Sequence, residues 1–177
     1  MKKTIAIDMD GVLADIEAHT LQLYEQHSGI SLTKADISGN QEWDLVPDGL
    51  FHEFVHKPGF FRNLPVMEGA VEAVEKLSQE FEVYIVSAAT EFPLSLSEKQ
   101  EWLTEYFPSI SWRNIVFCGS KSIIGTDYMI DDHRKNLDPF KGKTLLFSAF
   151  HNQGQNHHQR FDDWKSIVAF LESELAL

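Results

Sequence analysis

Apolar residues along this chain fall into short runs that alternate with longer amphipathic stretches. The short runs predict β-strands at residues 4–7, 83–87, 115–118, 128–130 and 144–147. Apolar side chains at helical spacing predict helices at 69–79 and 98–107, and a last helix that Asp162 or Asp163 caps. Strands that alternate with helices favour a parallel sheet with helices on both faces, a Rossmann-like α/β fold.

Residues 15–65 interrupt this alternation. They contain a helical pattern at 15–27, a polar stretch at 31–40 and an aromatic-rich run that ends at Phe60 and Phe61. The simplest interpretation is a small helical cap, inserted after the first strand, that covers one edge of the sheet. We therefore expect residues 1–14 and 66–177 to form the core domain and residues 15–65 to form the cap.

Composition limits the kind of protein and partner. A chain of 177 residues with 43% hydrophobic content is typical of one globular domain with a packed core. The net charge of −12 argues against binding a nucleic-acid polymer, but a few local cations and a metal are enough to hold a small phosphate ligand. The lone Cys118 excludes an intrachain disulfide and fits a reducing cytoplasm, and its apolar neighbours predict a buried thiol. We expect a soluble cytoplasmic protein without a membrane span.

Two carboxylates, Asp8 and Asp10, come directly after the first predicted strand, and Gly11 follows them. Burying like charges side by side is costly unless a cation or a shared proton relieves them. A calcium loop would need more oxygen ligands nearby, but residues 12–14 are apolar. An ordinary turn has the same pattern. The apolar strand before the acids favours a catalytic edge at the carboxyl end of the sheet.

The fourth predicted strand, at residues 128–130, is also followed by a pair of acids, Asp131 and Asp132. The carboxyl ends of parallel strands meet at one edge of a sheet, so both pairs converge there. Carboxylates gathered without a cation would repel strongly, and the pattern therefore predicts a bound divalent ion. Ligands that are all oxygen favour Mg²⁺.

Further candidates follow the other strands. Ser87 ends the second strand, and its hydroxyl and the backbone N–H groups from Ala88 onward suit phosphate oxygens. Lys99 lies at the start of a helical pattern, where the helix dipole disfavours a cation, and Lys121 follows the third strand. Each of these is weak evidence alone, because serine often ends strands and lysines are usually solvated.

Residues 151–158 form a polar stretch that contains His151, His157 and His158. Three histidines raise the question of metal binding, but the stretch lacks a fixed ligand spacing. We interpret it as a solvated loop.

In combination these motifs resemble a known family. The segment from Asp8 to Leu13, then Ser87, Lys99 and the pair at 131–132, are similar to the four ordered motifs of the haloacid dehalogenase superfamily. The resemblance is closer to the 5′(3′)-deoxyribonucleotidases and covers most of the chain, including residues 60–74, 98–107, 121–132, 151–153 and 162–165. It implies an enzyme, a Mg²⁺-dependent phosphatase that removes the 5′- or 3′-phosphate of deoxyribonucleoside monophosphates.

The resemblance also implies roles for the acids. Asp8 would be the nucleophile that forms an aspartyl-phosphate, and Asp10 would protonate the leaving group and then activate water. Mg²⁺ would lie between Asp8, the backbone carbonyl of Asp10 and Asp131. Asp132 would orient the ligands around the ion.

For the substrate, the resemblance implies that Ser87 and Lys99 hold the phosphoryl oxygens and that Lys121 supports the phosphate or Asp8. In the cap, where the family builds an aromatic slot for the nucleobase, Phe61 matches one position and Trp43 is a candidate for another. Two expected aromatic positions are instead occupied by Val55 and Ile16. Aromatic side chains in such a region are more often core.

Two other hypotheses stay open at this point. The nearest alternative keeps the same chemistry and changes the substrate to a sugar phosphate or another small phosphomonoester. A non-catalytic nucleotide-binding module is a different class, and the presence of all the catalytic residues argues against it. The expected partner is a small-molecule nucleotide, with no nucleic-acid polymer and no membrane. The sequence leaves open the base preference, the 5′ or 3′ preference, the physiological substrate and the oligomeric state, with a homodimer as one option.

Overall fold

The computed structural model describes residues 2–175 and contains a six-stranded sheet in the order β3-β2-β1-β4-β5-β6. The strands are β1 (Thr4–Ile7), β2 (Glu82–Ser87), β3 (Ile115–Phe117), β4 (Tyr128–Asp131), β5 (Lys143–Phe147) and β6 (Gln159–Phe161). Every pair of neighbouring strands is parallel. The predicted parallel α/β fold is confirmed.

Seven α-helices connect or cover the strands. They are α1 (Ile16–Ser28), α2 (Lys34–Ile37), α3 (Leu50–Val55), α4 (Ala70–Glu80), α5 (Ser95–Tyr106), α6 (Arg134–Leu137) and α7 (Trp164–Leu175). Helix α5 begins three residues before the helix predicted at 98–107. Strand β6 and helix α6 were not predicted. Elements of three or four residues are too short to show a hydrophobic period.

The two faces of the sheet are covered unequally. Ile5 and Ile7 of β1 point into a large core that also holds the apolar side chains of α4, α5 and α7. Ala6 points to the opposite face, where a much smaller cluster includes Leu137 of α6. Strand side chains alternate between faces, so β1, β2, β4 and β5 contribute to both layers. Cys118, which follows the edge strand β3, is half-buried rather than enclosed as the sequence indicated.

The strand order places the two acidic segments side by side. From β1 the chain adds β2 and β3 on one side, and β4, β5 and β6 lie on the other. Ile7 of β1 is paired with Ile130 of β4, and the N–H of Asp8 donates to the Ile130 carbonyl at 2.9 Å. This reversal of strand order at the carboxyl edge is where open α/β sheets bind ligands.

Helices α1, α2 and α3 lie between β1 and α4, in the segment that the sequence reading assigned to a cap. The chain leaves and re-enters the core at one place, because the Asp15 N–H donates to the Pro65 carbonyl at 2.8 Å and the Met67 N–H donates to the Leu13 carbonyl at 2.7 Å. Buried side chains of this segment, such as Phe51, belong to the same continuous core as β1. The division at residues 15–65 therefore follows the path of the chain, and it stays a prediction.

The carboxylate of Glu98 on α5 is bonded to the backbone at the end of this segment. Glu98 accepts three backbone N–H donors, from Gly59 at 2.6 Å, Phe61 at 3.0 Å and Arg62 at 3.2 Å. Glu98 directly precedes Lys99 on the helix. Among residues 2–175, none of the helices is both long and apolar enough to cross a membrane.

Replacing Trp102 tests the packing between α5 and the chain that returns from the cap. The fully buried indole donates to the Leu64 carbonyl at 2.7 Å. We expect Trp102→Phe to lower the free energy of unfolding by about 1–3 kcal/mol, because the carbonyl is left buried without a donor. The measurement is urea unfolding. Trp112→Phe is the control, since Trp112 is 73% exposed, and a stability loss as large for the control would contradict the argument.

Candidate active site

Asp8 is a buried carboxylate at the carboxyl end of β1, with 7% of its surface exposed. Its Oδ1 accepts the Met9 N–H at 2.6 Å and lies 2.7 Å from the Lys121 ammonium. Burial, together with the nearby acids Asp131 and Asp132, raises the pKa of Asp8 to about 8 although Lys121 opposes the rise. The site therefore stabilises a negative charge here only if more positive charge is supplied.

Lys121 lies between two acids and is itself buried. Its Nζ is 2.7 Å from Asp8 Oδ1 and 2.6 Å from Asp131 Oδ2. Burial would lower the pKa of Lys121, but the two carboxylates raise it, so the ammonium stays charged. The structure thus places Lys121 against Asp8, one of the two positions that the sequence left open, with one N–H left to donate.

The two acids of the β4 pair have different environments. Asp131 accepts the His133 N–H at 2.8 Å and the Asn136 amide at 3.0 Å to each oxygen, in addition to Lys121. From residues 2–175, the carboxylate of Asp132 accepts one hydrogen bond, from His151 Nε2 to Oδ2 at 3.0 Å. Its Oδ1 is buried with no hydrogen-bond partner. A buried oxygen without a partner is costly, and Asp132 therefore has the free ligand atom.

The electrostatics keep Asp132 charged. Burial alone would raise the pKa of Asp132, but His133 and His151 lower it to about 2. Burial likewise favours neutral His133, yet Asp132 and Glu42 raise the pKa of His133 to about 9. Glu42, from the cap segment, lies 3.3 Å from His133 Nε2. An ion pair therefore joins the cap segment to the edge of the sheet beside the acids.

Gly11 allows the first acidic segment to touch the second. Its φ of +76° is a left-handed conformation that glycine adopts without strain. A Cβ at this position would overlap Oδ2 of Asp132. The close approach brings the turn after Asp10 against Asp132.

The acids form a group that suits a hard divalent cation. Asp8, Asp131 and Asp132 each offer an oxygen, and these atoms lie within 4.8 Å of one another. All three side chains are buried. An all-oxygen set of this kind fits Mg²⁺ better than the softer transition metals. Among residues 2–175, Asp132 Oδ1 has no hydrogen-bond partner, whereas both oxygens of Asp131 accept hydrogen bonds. The predicted roles of Asp131 as ligand and Asp132 as orienting residue stay predictions.

A second buried lysine faces the other acid of the first segment. Lys99 pairs with Asp10 Oδ2 and donates to Ser87 Oγ at 3.0 Å. Its Nζ lies 4.6 Å from the centre of the Phe61 ring. Asp10 Oδ1 is buried without a partner. The structure thus brings Ser87, Lys99 and Asp10 together as the sequence indicated, and Phe61 packs against the lysine.

These groups line one cavity between the sheet edge and the cap segment. Its walls include Asp8, Asp10, Ala88, Lys99, Lys121, Asp132, His133, Phe51 and Phe92. An adjoining pocket extends from it and is lined by Trp43, Phe61 and Phe92. Trp43 is 41% exposed, with its ring centre 6.2 Å from that of Phe92, whereas Phe61 is almost fully buried. Of the two aromatic candidates, Trp43 is the more accessible.

Sequence reasoning missed several residues of the site. They are Glu42, Phe92, His133, Asn136 and His151. Two of them had a usable signal, since they follow the acidic pair at 131–132 within five residues. The interpretation of His151 as part of a solvated loop was wrong, because its side chain is only 9% exposed and bonds to Asp132.

Comparison with known proteins gives consistent results. A family model described as 5′ nucleotidase, deoxy (pyrimidine), cytosolic type C protein matches residues 2–174. The 5′(3′)-deoxyribonucleotidases of Bacillus subtilis strain 168 and of Bacillus phage SPbeta are each 42% identical over 170 residues, which is 94% of this chain and 97% of theirs.

Solved structures show the same fold at low identity. A haloacid dehalogenase family hydrolase from Deinococcus radiodurans R1, solved with bound phosphate and sodium, has a TM-score of 0.60 and 15% identity, and the match covers 98% of this chain and 97% of that one. A haloacid dehalogenase-like hydrolase from Streptococcus pneumoniae has a TM-score of 0.59 and 11% identity, with 96% and 98% covered.

Substituting Gly11 tests the contact between the two acidic segments. Gly11→Ala and Gly154→Ala introduce a Cβ at the same φ of +76°, but Gly154 has open space around it. We expect Gly11→Ala to lose about 1–3 kcal/mol more of the free energy of unfolding than Gly154→Ala, because it also displaces the Asp132 carboxylate. Urea unfolding of both variants measures the difference, and equal losses would contradict the tight contact.

Proposed function

We propose that this chain, which belongs to the 5′(3′)-deoxyribonucleotidases of the haloacid dehalogenase superfamily, hydrolyses the 5′- or 3′-phosphate of deoxyribonucleoside monophosphates. Family membership makes it a phosphoric monoester hydrolase. The observation that carries the finer proposal is the buried Asp8, flanked by Lys121 and faced by the unpartnered oxygens of Asp10 and Asp132. This arrangement has the charge pattern that a bound phosphate and a cation would complete.

We assign the divalent cation, as Mg²⁺, to the Asp8 carboxylate, the Asp10 backbone carbonyl and the Asp132 carboxylate. Hydrolases of this superfamily use a divalent metal, and the close group of acids supports such a site here. When bound, Mg²⁺ would neutralise the charge of the phosphoryl oxygens and of the acids around them. Asp131 would then serve through Lys121, whose ammonium it holds beside Asp8.

Asp8 is the proposed nucleophile. The Met9 N–H and Lys121 fix the orientation of its carboxylate, and the ammonium favours the ionised form that attacks. In the first step a carboxylate oxygen of Asp8 bonds to phosphorus while the bond from phosphorus to the sugar oxygen breaks. In the second step water attacks phosphorus, the bond to Asp8 breaks, and inorganic phosphate leaves.

Asp10 is the proposed general acid and base. In the ligand-free structure it pairs with Lys99. A bound phosphate would compete for that ammonium, because Lys99 lines the cavity and its Nζ also donates to the proposed phosphate ligand Ser87. Asp10 is then released to carry a proton, to donate it to the leaving alkoxide, and to take one from the attacking water.

The remaining polar groups hold the phosphoryl oxygens. The Ser87 hydroxyl and the backbone N–H of Ala88 lie at the end of β2, and Lys99 reaches Ser87 from α5. Strand β1 separates β2 from β4 and its acids. Donors that are already in place stabilise charge at the transition state without reorganisation.

The aromatic pocket beside the cavity supports a nucleotide over a sugar phosphate. Trp43, Phe92 and Phe61 surround a space that continues from the phosphate site, and a nucleobase stacks on such rings. The net charge of −12 fits a small nucleotide rather than a polymer. A cytoplasmic location, inferred from the lone cysteine, stays a prediction.

Replacing the nucleophile tests the chemistry. We expect Asp8→Asn to abolish phosphate release, because an amide does not attack phosphorus, while the fold survives. The assay is Mg²⁺-dependent release of phosphate from a panel that contains dUMP, dTMP, their 3′-phosphate isomers and several sugar phosphates. Asp48→Asn, at an exposed position of the cap segment, is the matched control.

The panel separates the hypotheses. Unchanged turnover by the Asp8 variant would refute its role as nucleophile. Sugar phosphates that rank above every nucleotide would favour the broader phosphatase. Ligand binding without Mg²⁺-dependent hydrolysis by the wild type would favour a non-catalytic module.

The role of Asp10 is tested by changing the leaving group. We expect Asp10→Asn to slow hydrolysis of a nucleotide by about 10²–10⁴-fold, the usual contribution of a general acid. The loss should be much smaller for p-nitrophenyl phosphate, because nitrophenolate leaves without a proton. Steady-state kinetics on both substrates give the two ratios. Equal losses would show that Asp10 does not protonate the leaving group.

A further inference from the structure

We propose that His151 is a positioning residue that orients Asp132 for the divalent cation. This inference rests on the proposed function, because it assigns a role toward the metal of that site. It concerns a residue of the loop between β5 and β6, far in sequence from the motifs that form the catalytic edge.

The contact involves one oxygen of the carboxylate and leaves the other free. His151 Nε2 donates to Asp132 Oδ2 at 3.0 Å, so the proton of the ring must be on Nε2. The same oxygen lies against Gly11. Oδ1 has no hydrogen-bond partner and is buried. The carboxylate is therefore held on one side and offers its second oxygen to a ligand.

The orientation of the His151 ring is itself fixed. The ring stacks on that of His133, with centroids 4.2 Å apart and planes 13° apart. The edge of Phe150 packs against it at 5.1 Å and 90°. The rings of His133 and Phe150 therefore restrict the His151 ring on two sides, unlike the side chain of a solvated loop.

The backbone that presents His151 is held by the fully buried Asn152. The amide of Asn152 donates to the carbonyls of Asp132 and Phe147, each at 2.8 Å. Its Oδ1 accepts the Ala149 N–H at 3.1 Å and Arg160 Nη1 at 2.7 Å. Both N–H donors of the buried Asn152 amide and its oxygen are thus used in hydrogen bonds that join this loop to the strand ends.

The cap segment holds the same loop from the other side. The Phe150 N–H donates to Glu17 Oε1 at 2.9 Å, and the Phe150 carbonyl accepts the Gly39 N–H at 2.8 Å. The loop from Ala149 to Asn152 is therefore fixed by the core and the cap together. Such rigid support is what a precise metal ligand needs from the residues behind it.

Two substitutions separate the hydrogen bond from the packing. His151→Phe keeps a ring for the stack on His133 and removes the donor. His151→Gln loses the ring and keeps an N–H donor. His157→Ala, at an exposed position of the same loop, is the control, and Asp132→Asn gives the reference for loss of the ligand itself. The probe is Mn²⁺ alone, titrated into each metal-free protein and followed by electron paramagnetic resonance, with Mg²⁺ as competitor.

We expect His151→Phe to weaken Mn²⁺ and Mg²⁺ binding by about 10–100-fold, the usual effect of removing a residue that supports a metal ligand. His151→Gln should recover most of the affinity, and His157→Ala should equal the wild type. With excess Mg²⁺ the kcat of His151→Phe should return towards the wild-type value while its KM for nucleotide is unchanged. Circular dichroism and thermal unfolding establish that each variant is folded.

Mn²⁺ affinity of a folded His151→Phe protein within twofold of the wild type would overturn the inference. Equal losses for the Phe and Gln variants would also overturn it, since packing rather than the donated hydrogen bond would then control the site. If the wild type itself binds no Mn²⁺ or Mg²⁺, the metal centre of the proposed function fails. That result is distinct from a failure confined to His151.

Discussion

Repulsion among buried carboxylates is the constraint around which this molecule is arranged. Parallel β1 and β4 end side by side, so Asp8 and the acidic pair that ends β4 are pressed together. Lys121 relieves part of the repulsion from within the group, and Lys99 balances Asp10 from the β2 side. Some negative charge stays uncompensated, which makes the edge of the sheet receptive to a cation and, with the lysines, to a phosphate.

The sequence predicted this centre well because its signals are local. Apolar strands that stop at Asp8 and at Asp131 are visible without knowledge of the fold, and the parallel arrangement follows from the alternation of elements. Which of Asp131 and Asp132 keeps an oxygen without a hydrogen-bond partner was not predictable. Neighbouring side chains on a strand point to opposite faces, and only the partners in space decide which carboxylate keeps a free oxygen.

The failures of prediction have a common physical origin. The loop that carries His151 is held at the site by hydrogen bonds of Asn152, one of them from Arg160. Arg160 lies on a three-residue strand that shows no hydrophobic period. Phe92 lines the aromatic pocket from a loop after β2. The aromatic residues predicted from the sequence, Phe61 and Trp43, both lie in the cap segment. Long-range contacts of irregular segments leave little trace in composition or spacing, so both residues needed the three-dimensional structure.

The three hydrogen bonds that Glu98 accepts limit how far the cap segment is able to move away from the cavity. The next residue, Lys99, is bonded to Asp10 and Ser87. The first turns of α5 are therefore bonded both to the sheet edge and to residues 59–62. A pivot at that stretch would break bonds to a charged acceptor, each worth about 1.5–3 kcal/mol. Any opening of the cap segment above the cavity would therefore either break these bonds or leave residues 59–62 in place.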